Sequence, residues 1–226
     1  MLRVFVLCGL AGFGGVLPAA AGPWLRAEDS GFLSSTYTYR RFEDLQEQEL
    51  ALYGEYGLTS WLTVGADLYG RQFVGAPVDS GHGLAFARLA LPSAGGIKSA
   101  VQLGVGGYSV EGEIGKMARM TLSTGRGFDS VLGGGWWSLD AAAEYREGLP
   151  KVVWKLDSTL GFDPSWKLKP ILQFETTLPP GRDLIYSVLP GVRLQMRNNR
   201  SLLASFEYRD AGVQTLGFRA GLWQDF

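Results

Sequence analysis

Apolar and polar residues take turns along most of this chain. In Leu62-Thr63-Val64-Gly65-Ala66-Asp67-Leu68-Tyr69-Gly70-Arg71 the apolar side chains fall on even positions, and Asp67 and Arg71 on odd ones. The same rhythm runs through Trp137, Leu139, Ala141, Ala143 and Tyr145 against Asp140, Glu144 and Arg146. It recurs in Val152, Trp154, Leu156 and Leu160 against Lys155, Asp157 and Thr159, and in Leu202, Ala204, Phe206 and Tyr208 against Glu207 and Arg209. The last stretch sets Leu216, Phe218, Ala220 and Leu222 against Thr215 and Arg219. Successive side chains of an extended strand point to opposite faces, so each segment is a strand with one apolar and one polar face. Beyond residue 21 no apolar run reaches the roughly 20 residues of a transmembrane helix.

Gly, Pro, Asn, Asp and Ser gather between these segments, as hairpin connections require. The breaks fall at Phe42–Gln48, Gly57–Trp61, Val74–His82, Pro92–Ile97, Glu111–Gly115, Gly125–Gly135, Gly148–Pro150, Asp163–Trp166, Pro179–Asp183, Arg197–Ser201 and Asp210–Val213. They imply about twelve strands in consecutive antiparallel hairpins. Ten or fourteen remain open, depending on whether Gly125–Gly135 is a connection or part of a strand. The longest breaks, at Val74–His82 and Gly125–Gly135, are too short for a substrate-binding domain, and none resembles a plug.

Residues 1–21 read as a secretory signal peptide. Arg3 supplies the positive start, Val4 to Leu17 the apolar stretch, and Pro18-Ala19-Ala20-Ala21 the small-residue cleavage pattern, with cleavage expected between Ala21 and Gly22. The remaining domain, 22–226, contains no cysteine, so no disulfide can hold it together.

The period alone leaves two architectures. A soluble sandwich turns its apolar faces inward, whereas a transmembrane barrel turns them to lipid and lines its interior with the polar set. Aromatic residues near segment ends favour the barrel, because amphipathic rings settle at the headgroup level. The girdle candidates are Tyr56, Trp61, Trp136, Trp137, Tyr145, Trp154, Trp166, Tyr186, Tyr208 and Trp223. Glycines inside strands, such as Gly65, Gly104, Gly217 and Gly221, would weaken a soluble sheet but relieve crowding on a tightly curved inner wall.

With its leader, its dyad repeats and a final amphipathic strand ending on Phe226, the chain resembles small bacterial outer-membrane β-barrel proteins of the porin-like kind. The resemblance implies an all-β, closed, antiparallel up-and-down transmembrane barrel in the outer membrane, in contact with its lipid. It also implies that Phe218, Leu222 and Phe226 carry the signal read by the barrel-assembly machinery. Gln224 departs from that pattern. The hairpin Tyr56-Gly57-Leu58-Thr59-Ser60-Trp61-Leu62-Thr63-Val64-Gly65 is also similar to units in barrels grouped with aromatic-compound degradation pathways. An open sheet edge in lipid leaves backbone groups without partners, so the sheet must close.

The polar faces then line the lumen. Its basic candidates are Arg40, Arg71, Arg88, Arg119, Arg146, Lys155, Lys169, Arg193, Arg209 and Arg219; its acidic ones are Glu49, Glu55, Asp67, Asp140, Glu144, Asp157, Glu175 and Glu207. A ring of one sign would select ions. The near balance points instead to cross-strand ion pairs around a narrow lumen. The expected role is passive passage of small polar or amphipathic solutes; the alternative is a structural or envelope-interaction barrel with no open path.

Other chemistries find little support. A net charge of −1 gives nucleic acid nothing to bind. One Cys and one His leave no His- or Cys-based metal site, and no cofactor is implied. Lipid hydrolysis would need the one histidine, His82, in Asp79-Ser80-Gly81-His82-Gly83; the stretch reads as a Gly-rich turn that fixes no catalytic geometry, and the chain does not read as an enzyme.

Overall fold

Two-residue turns need backbone conformations that most side chains avoid, and the sequence supplies them where the chain reverses. Glu111 and Gly112 both take positive φ, 52° and 85°, matching the mirror-image turn whose twist suits flanking strands. The computed structural model describes residues 22–42, 45–75 and 79–226. The expected leader, 1–21, lies outside the described residues.

Twelve strands follow in order: β1 (Gly31–Phe42), β2 (Leu45–Thr59), β3 (Leu62–Val74), β4 (Asp79–Ala94), β5 (Ile97–Val110), β6 (Glu113–Ser130), β7 (Gly133–Arg146), β8 (Val153–Asp163), β9 (Leu168–Leu178), β10 (Ile185–Gln195), β11 (Arg200–Asp210) and β12 (Gln214–Asp225). Each pairs antiparallel with its sequence neighbours, and β1 pairs with β12 to close the barrel. At the seam the Gly31 N–H donates to the Phe226 carbonyl at 2.8 Å, and the Phe226 N–H to the Gly31 carbonyl at 3.0 Å. No open edge is left for lipid to meet.

All eleven expected breaks contain a chain reversal, but several connections are shorter than the sequence implied, the two longest breaks among them. Gly125–Gly135 is mostly strand: β6 runs to Ser130, β7 starts at Gly133, and only Val131 and Leu132 connect them. The ladder needs only backbone groups, so glycines pair within it without side chains. Val74–His82 also shrinks, because β4 begins at Asp79 and His82 is a strand residue rather than a loop residue.

The barrel is apolar outside and polar inside. Leu33, Leu52, Leu68, Leu103, Leu122, Leu156, Leu172 and Leu202 are exposed on its outer wall. Buried side chains are mostly charged or hydroxyl-bearing, among them Arg88, Glu144, Glu207, Asp67 and Thr63. A water-soluble domain reverses this arrangement. An apolar outer band around a closed polar interior is the organisation of a transmembrane barrel.

Both chain ends of the barrel lie at one rim, because β1 starts where β12 stops. This termini-side rim carries the β2–β3, β4–β5, β6–β7, β8–β9 and β10–β11 connections, and the far rim carries the rest.

Candidate functional site

Period-two alternation delivers the charged side chains to one enclosed space, where they tie together strands that are not neighbours. Arg40 on β1 reaches past β12 to Glu207 on β11, with Nε donating at 2.7 Å and Nη2 at 3.0 Å. Its Nη1 also meets Glu47 at 2.6 Å and Glu49 at 2.7 Å. Arg88 on β4 donates to Glu55 on β2 at 2.8 Å and to the Tyr53 hydroxyl at 2.6 Å. Arg219 on β12 grips Glu175 on β9 at 2.7 and 3.2 Å. Glu144 on β7 collects Arg119 at 2.8 Å, Arg146 at 2.7 Å and Lys155 at 3.4 Å. Neighbouring strands lie about 4.8 Å apart, so a bond that skips a strand is a chord across the lumen.

The pairing is incomplete. Arg71 lies over the Phe73 ring at 5.1 Å, and its Nε and Nη1 are buried without a hydrogen-bond partner.

The termini-side half of the lumen is filled differently. Phe32, Tyr53, Phe86, Ile171 and Trp223 form an apolar cluster from several walls, with Trp136 and Leu203 packed against it. Into this end runs the segment before β1. The Asp29 N–H donates to the Gly57 carbonyl at 3.0 Å, and the Gly57 N–H to the Ser30 carbonyl at 2.9 Å. The Arg26 N–H donates to Thr63 Oγ1 at 3.0 Å, its Nη1 to Asp225 at 3.1 Å, and its Nε to Glu55. Its guanidinium stands 4.4 Å from the Phe32 ring centre.

Those anchors belong to β1, β2, β3 and β12, yet residues 22–24 touch the opposite wall. Trp24 meets Trp136 on β7 edge to face at 5.9 Å. A Cβ added at Gly125 on β6 would come within 2.9 Å of Pro23 and Trp24. Residues 22–30 therefore cross the lumen and obstruct its termini-side mouth. No break between strands is expected to form a plug, and the obstructing segment is not one of them: it precedes β1. Gly125 is not a turn glycine: its missing side chain makes room for the crossing segment.

The sequence-derived lumen residues Arg40, Glu55, Asp67, Arg71, Arg88, Arg119, Asp140, Glu144, Arg146, Lys155, Glu207, Arg209 and Arg219 are buried; Asp157, Lys169, Glu175 and Arg193 are partly so. Lys169 and Arg193 both bind Asp163 near the termini-side rim. Among the girdle candidates, Tyr56, Trp61, Tyr145, Trp154 and Trp166 are exposed on the outside. Trp137, Tyr186 and Tyr208 are half-buried, the two tyrosines in ring contact at 6.1 Å. Trp136 and Trp223 turn inward instead, joining the apolar cluster, with Arg193 over the Trp223 ring at 5.7 Å. Phe218, Leu222 and Phe226 are exposed along β12.

His82 also faces the lumen. It stacks on Tyr69 at 5.3 Å, with Nε2 3.3 Å from Asp67 Oδ2 and 3.3 Å from Arg119 Nη2. Ser80 Oγ has no hydrogen-bond partner, and Asp79 is exposed, so Asp79, Ser80 and His82 do not assemble as a triad. Tyr53, Tyr69, Glu47, Trp24 and Arg26 also face the lumen; the segment-end placement of Tyr53, Tyr69 and Trp24 suits a girdle instead, and sequence reasoning passes over Glu47 and Arg26. Tyr53, Tyr69 and Glu47 share the inward parity of Glu49 and Asp67; Trp24 and Arg26 precede the first strand and carry no period.

No protein-family model matches the chain, and no curated protein matches its sequence. Solved structures do. The KdgM porin aligns at TM-score 0.58 with 10% identity, covering 85% of this chain and 99% of that one. Its complex with disordered oligogalacturonate aligns at 0.57 with 11% identity over the same shares. The outer membrane phospholipase A from Escherichia coli aligns at 0.51 with 11% identity, covering 91% of this chain and 96% of that one. The fold is that of an outer-membrane β-barrel. A barrel this similar occurs in a porin and in a phospholipase alike, so the likeness speaks to fold only. The comparisons do not show the similarity to aromatic-compound barrels.

Proposed function

We propose that residues 22–226, freed of their leader, form an outer-membrane barrel that passes small polar or amphipathic solutes, with residues 22–30 as the gate of its termini-side mouth. One observation carries the reading: a segment outside the barrel wall obstructs that mouth, held by a few polar contacts and ring packing. Its departure would leave the wall hydrogen bonds intact. The near balance of lumen charges favours weak selectivity over a preference for one ionic sign. The KdgM porin holds an acidic oligosaccharide; the opposed charges here give no support for carrying that solute class over. Catalysis is not part of the proposal, because His82 is enclosed with Asp67 and Arg119 rather than presented to lipid. The exposed Phe218, Leu222 and Phe226 on the closing strand support recognition by the barrel-assembly machinery.

A structural barrel without a path is the competing reading, favoured by the apolar cluster that fills the same end. Conductance in planar bilayers separates them. Chains 22–226 and 31–226, both folded by their heat-modifiable mobility, are compared. Passage predicts rare or small steps for the first and frequent, larger ones for the second. Silence from both establishes the structural barrel.

A further inference from the structure

Near the inner end of the gate lie two buried acceptors with nothing to accept from. Ser138 and Asp140 sit two residues apart on the inward face of β7, 2% and 7% exposed. Ser138 Oγ and Asp140 Oδ1 have no hydrogen-bond partner. Asp140 stands opposite Asp157 in register, and Asp157 opposite Glu175, so three carboxyl side chains line up across β7, β8 and β9. Like charges placed directly across a ladder repel. Glu175 is matched by Arg219, and Asp157 accepts the Thr176 N–H at 3.2 Å. Arg88 faces Asp140, which also hydrogen-bonds Ser123, and Lys155 faces Asp157, but no ion pair of either aspartate closes to 4.0 Å among the described residues. Those two cations are held in closer contact by Glu55 and Glu144, so the row has no cation of its own and has room for one more positive group.

The gate leads toward it. Trp24 packs on Trp136, while a Cβ added at Gly22 would stand 3.3 Å from Ser138 Cβ. Followed toward its start, the segment therefore climbs β7 from Trp136 to Ser138, in the direction of Asp140. Gly22 is also the residue at which cleavage of the leader is expected.

We propose that Ser138, Asp140 and Asp157 form a binding site for a primary ammonium group, and that its occupant is the α-amino group of Gly22 in the processed chain. The inference rests on the gating reading and on cleavage between Ala21 and Gly22. Hydrolysis breaks that peptide bond, water giving its hydroxyl to the Ala21 carbonyl and a hydrogen to the Gly22 nitrogen. The freed amine takes up a proton at neutral pH, becoming a three-donor cation. Before cleavage the same nitrogen is a neutral amide with a single N–H, unable to balance Asp140. Removal of the leader thus supplies the charge that latches the gate.

The test begins with the intact mass of the chain recovered from the outer membrane of a Gram-negative host, expected to be that of 22–226; any other N-terminus overturns the proposal. The Gly22 amine is then labelled at neutral pH with an N-hydroxysuccinimide ester, in micelles, and read by peptide mass. Three chains are compared: the processed chain, Asp140→Asn, and a chain refolded with two extra alanines before Gly22. The latched amine reacts at least about tenfold slower in the processed chain than in the other two, as expected for an ammonium stabilised by about one pH unit or more. Equal rates overturn the site. The lengthened chain alters no wall residue, so the comparison stands even if Asp140→Asn fails to fold. The passage reading is judged separately by the conductance of 31–226, which lacks the amine altogether.

Discussion

Arg119 and Asp67 bind each other from strands that are not neighbours: Nη1 of β6 donates to Oδ2 of β3 at 2.6 Å, with β4 and β5 lying between them along the wall. The same guanidinium donates through Nε to Glu144 on β7. One side chain thus clamps an arc of wall from β3 to β7, and His82 fills the angle against it.

Removing Glu144 leaves Arg119, Arg146 and Lys155 without their shared acceptor. Breaking a buried pair by deleting one partner costs about 3–5 kcal/mol. Glu144→Ala is therefore expected to lose stability in this range, measured by urea unfolding of the micelle-embedded barrel. Glu144→Ala combined with Lys155→Met is expected to lose less, since Glu144 is the only ion-pair partner of Lys155 among the described residues, whereas Arg119 keeps Asp67. A double variant weaker than the single one contradicts the account.

Gly57 offers a way to move the crossing segment without touching its charges. A side chain at this position would strike the Ala27 carbonyl oxygen and come within 2.8 Å of the Arg26 carbonyl oxygen. Gly57→Ala is expected to displace residues 26–30, with amide exchange there accelerated by about tenfold or more, as expected when an opening costs about 1.4 kcal/mol less. Exchange in β6 and β7 should stay near that of the parent. Unchanged exchange at 26–30 would show that the segment is held elsewhere.

The tryptophans divide by location. Trp61, Trp154 and Trp166 face outward, whereas Trp24, Trp136 and Trp223 face the lumen. Brominated acyl chains are expected to quench the outward set strongly and the inward set weakly, checked with single-tryptophan variants in vesicles. Strong quenching of a chain retaining only Trp223 contradicts its inward position.

Phe226 closes the seam through both of its backbone groups and lays its ring over Gly31. Deleting Phe226 removes two hydrogen bonds, each worth about 0.5–1.5 kcal/mol net, along with that ring. The expected result is slower appearance of the heat-modifiable form in refolding and a smaller membrane-inserted fraction in cells. Phe226→Ala keeps the backbone pair; it is expected to retain refolding better than the deletion while still impairing insertion in cells.

Much of the barrel was legible from parity. Leu62 to Arg71 alternates and lies inside β3; the closing strand repeats the pattern through Leu222. The two misplaced girdle tryptophans obey the same rule: Trp223 sits one position from Leu222, and Trp136 one from Trp137, so each lies on the polar face of its strand. Aromatic identity points to a girdle, but parity decides the face. Gly125–Gly135 was ambiguous for a physical reason, since glycine serves a turn, a ladder and a close approach equally well. The crossing segment left no signal. Residues 22–30 follow no period, and their place depends on contacts with β6 and β7, far along the chain.

The seam orders events in time. Gly31 and Phe226 are the first and last residues of the closed wall, and joining them completes the longest-range pairing in the sheet. Pairings between remote residues carry a large loop-closure cost and slow folding. Every other ladder joins consecutive strands and can form as a local hairpin, so the β1–β12 pairing is expected to come last. Residues 22–30 enter the lumen beside that pairing. A nascent barrel would therefore stay unsealed along one side until its final strand arrives, and residues 22–30 would find their docking wall in the same step that gives the molecule an inside.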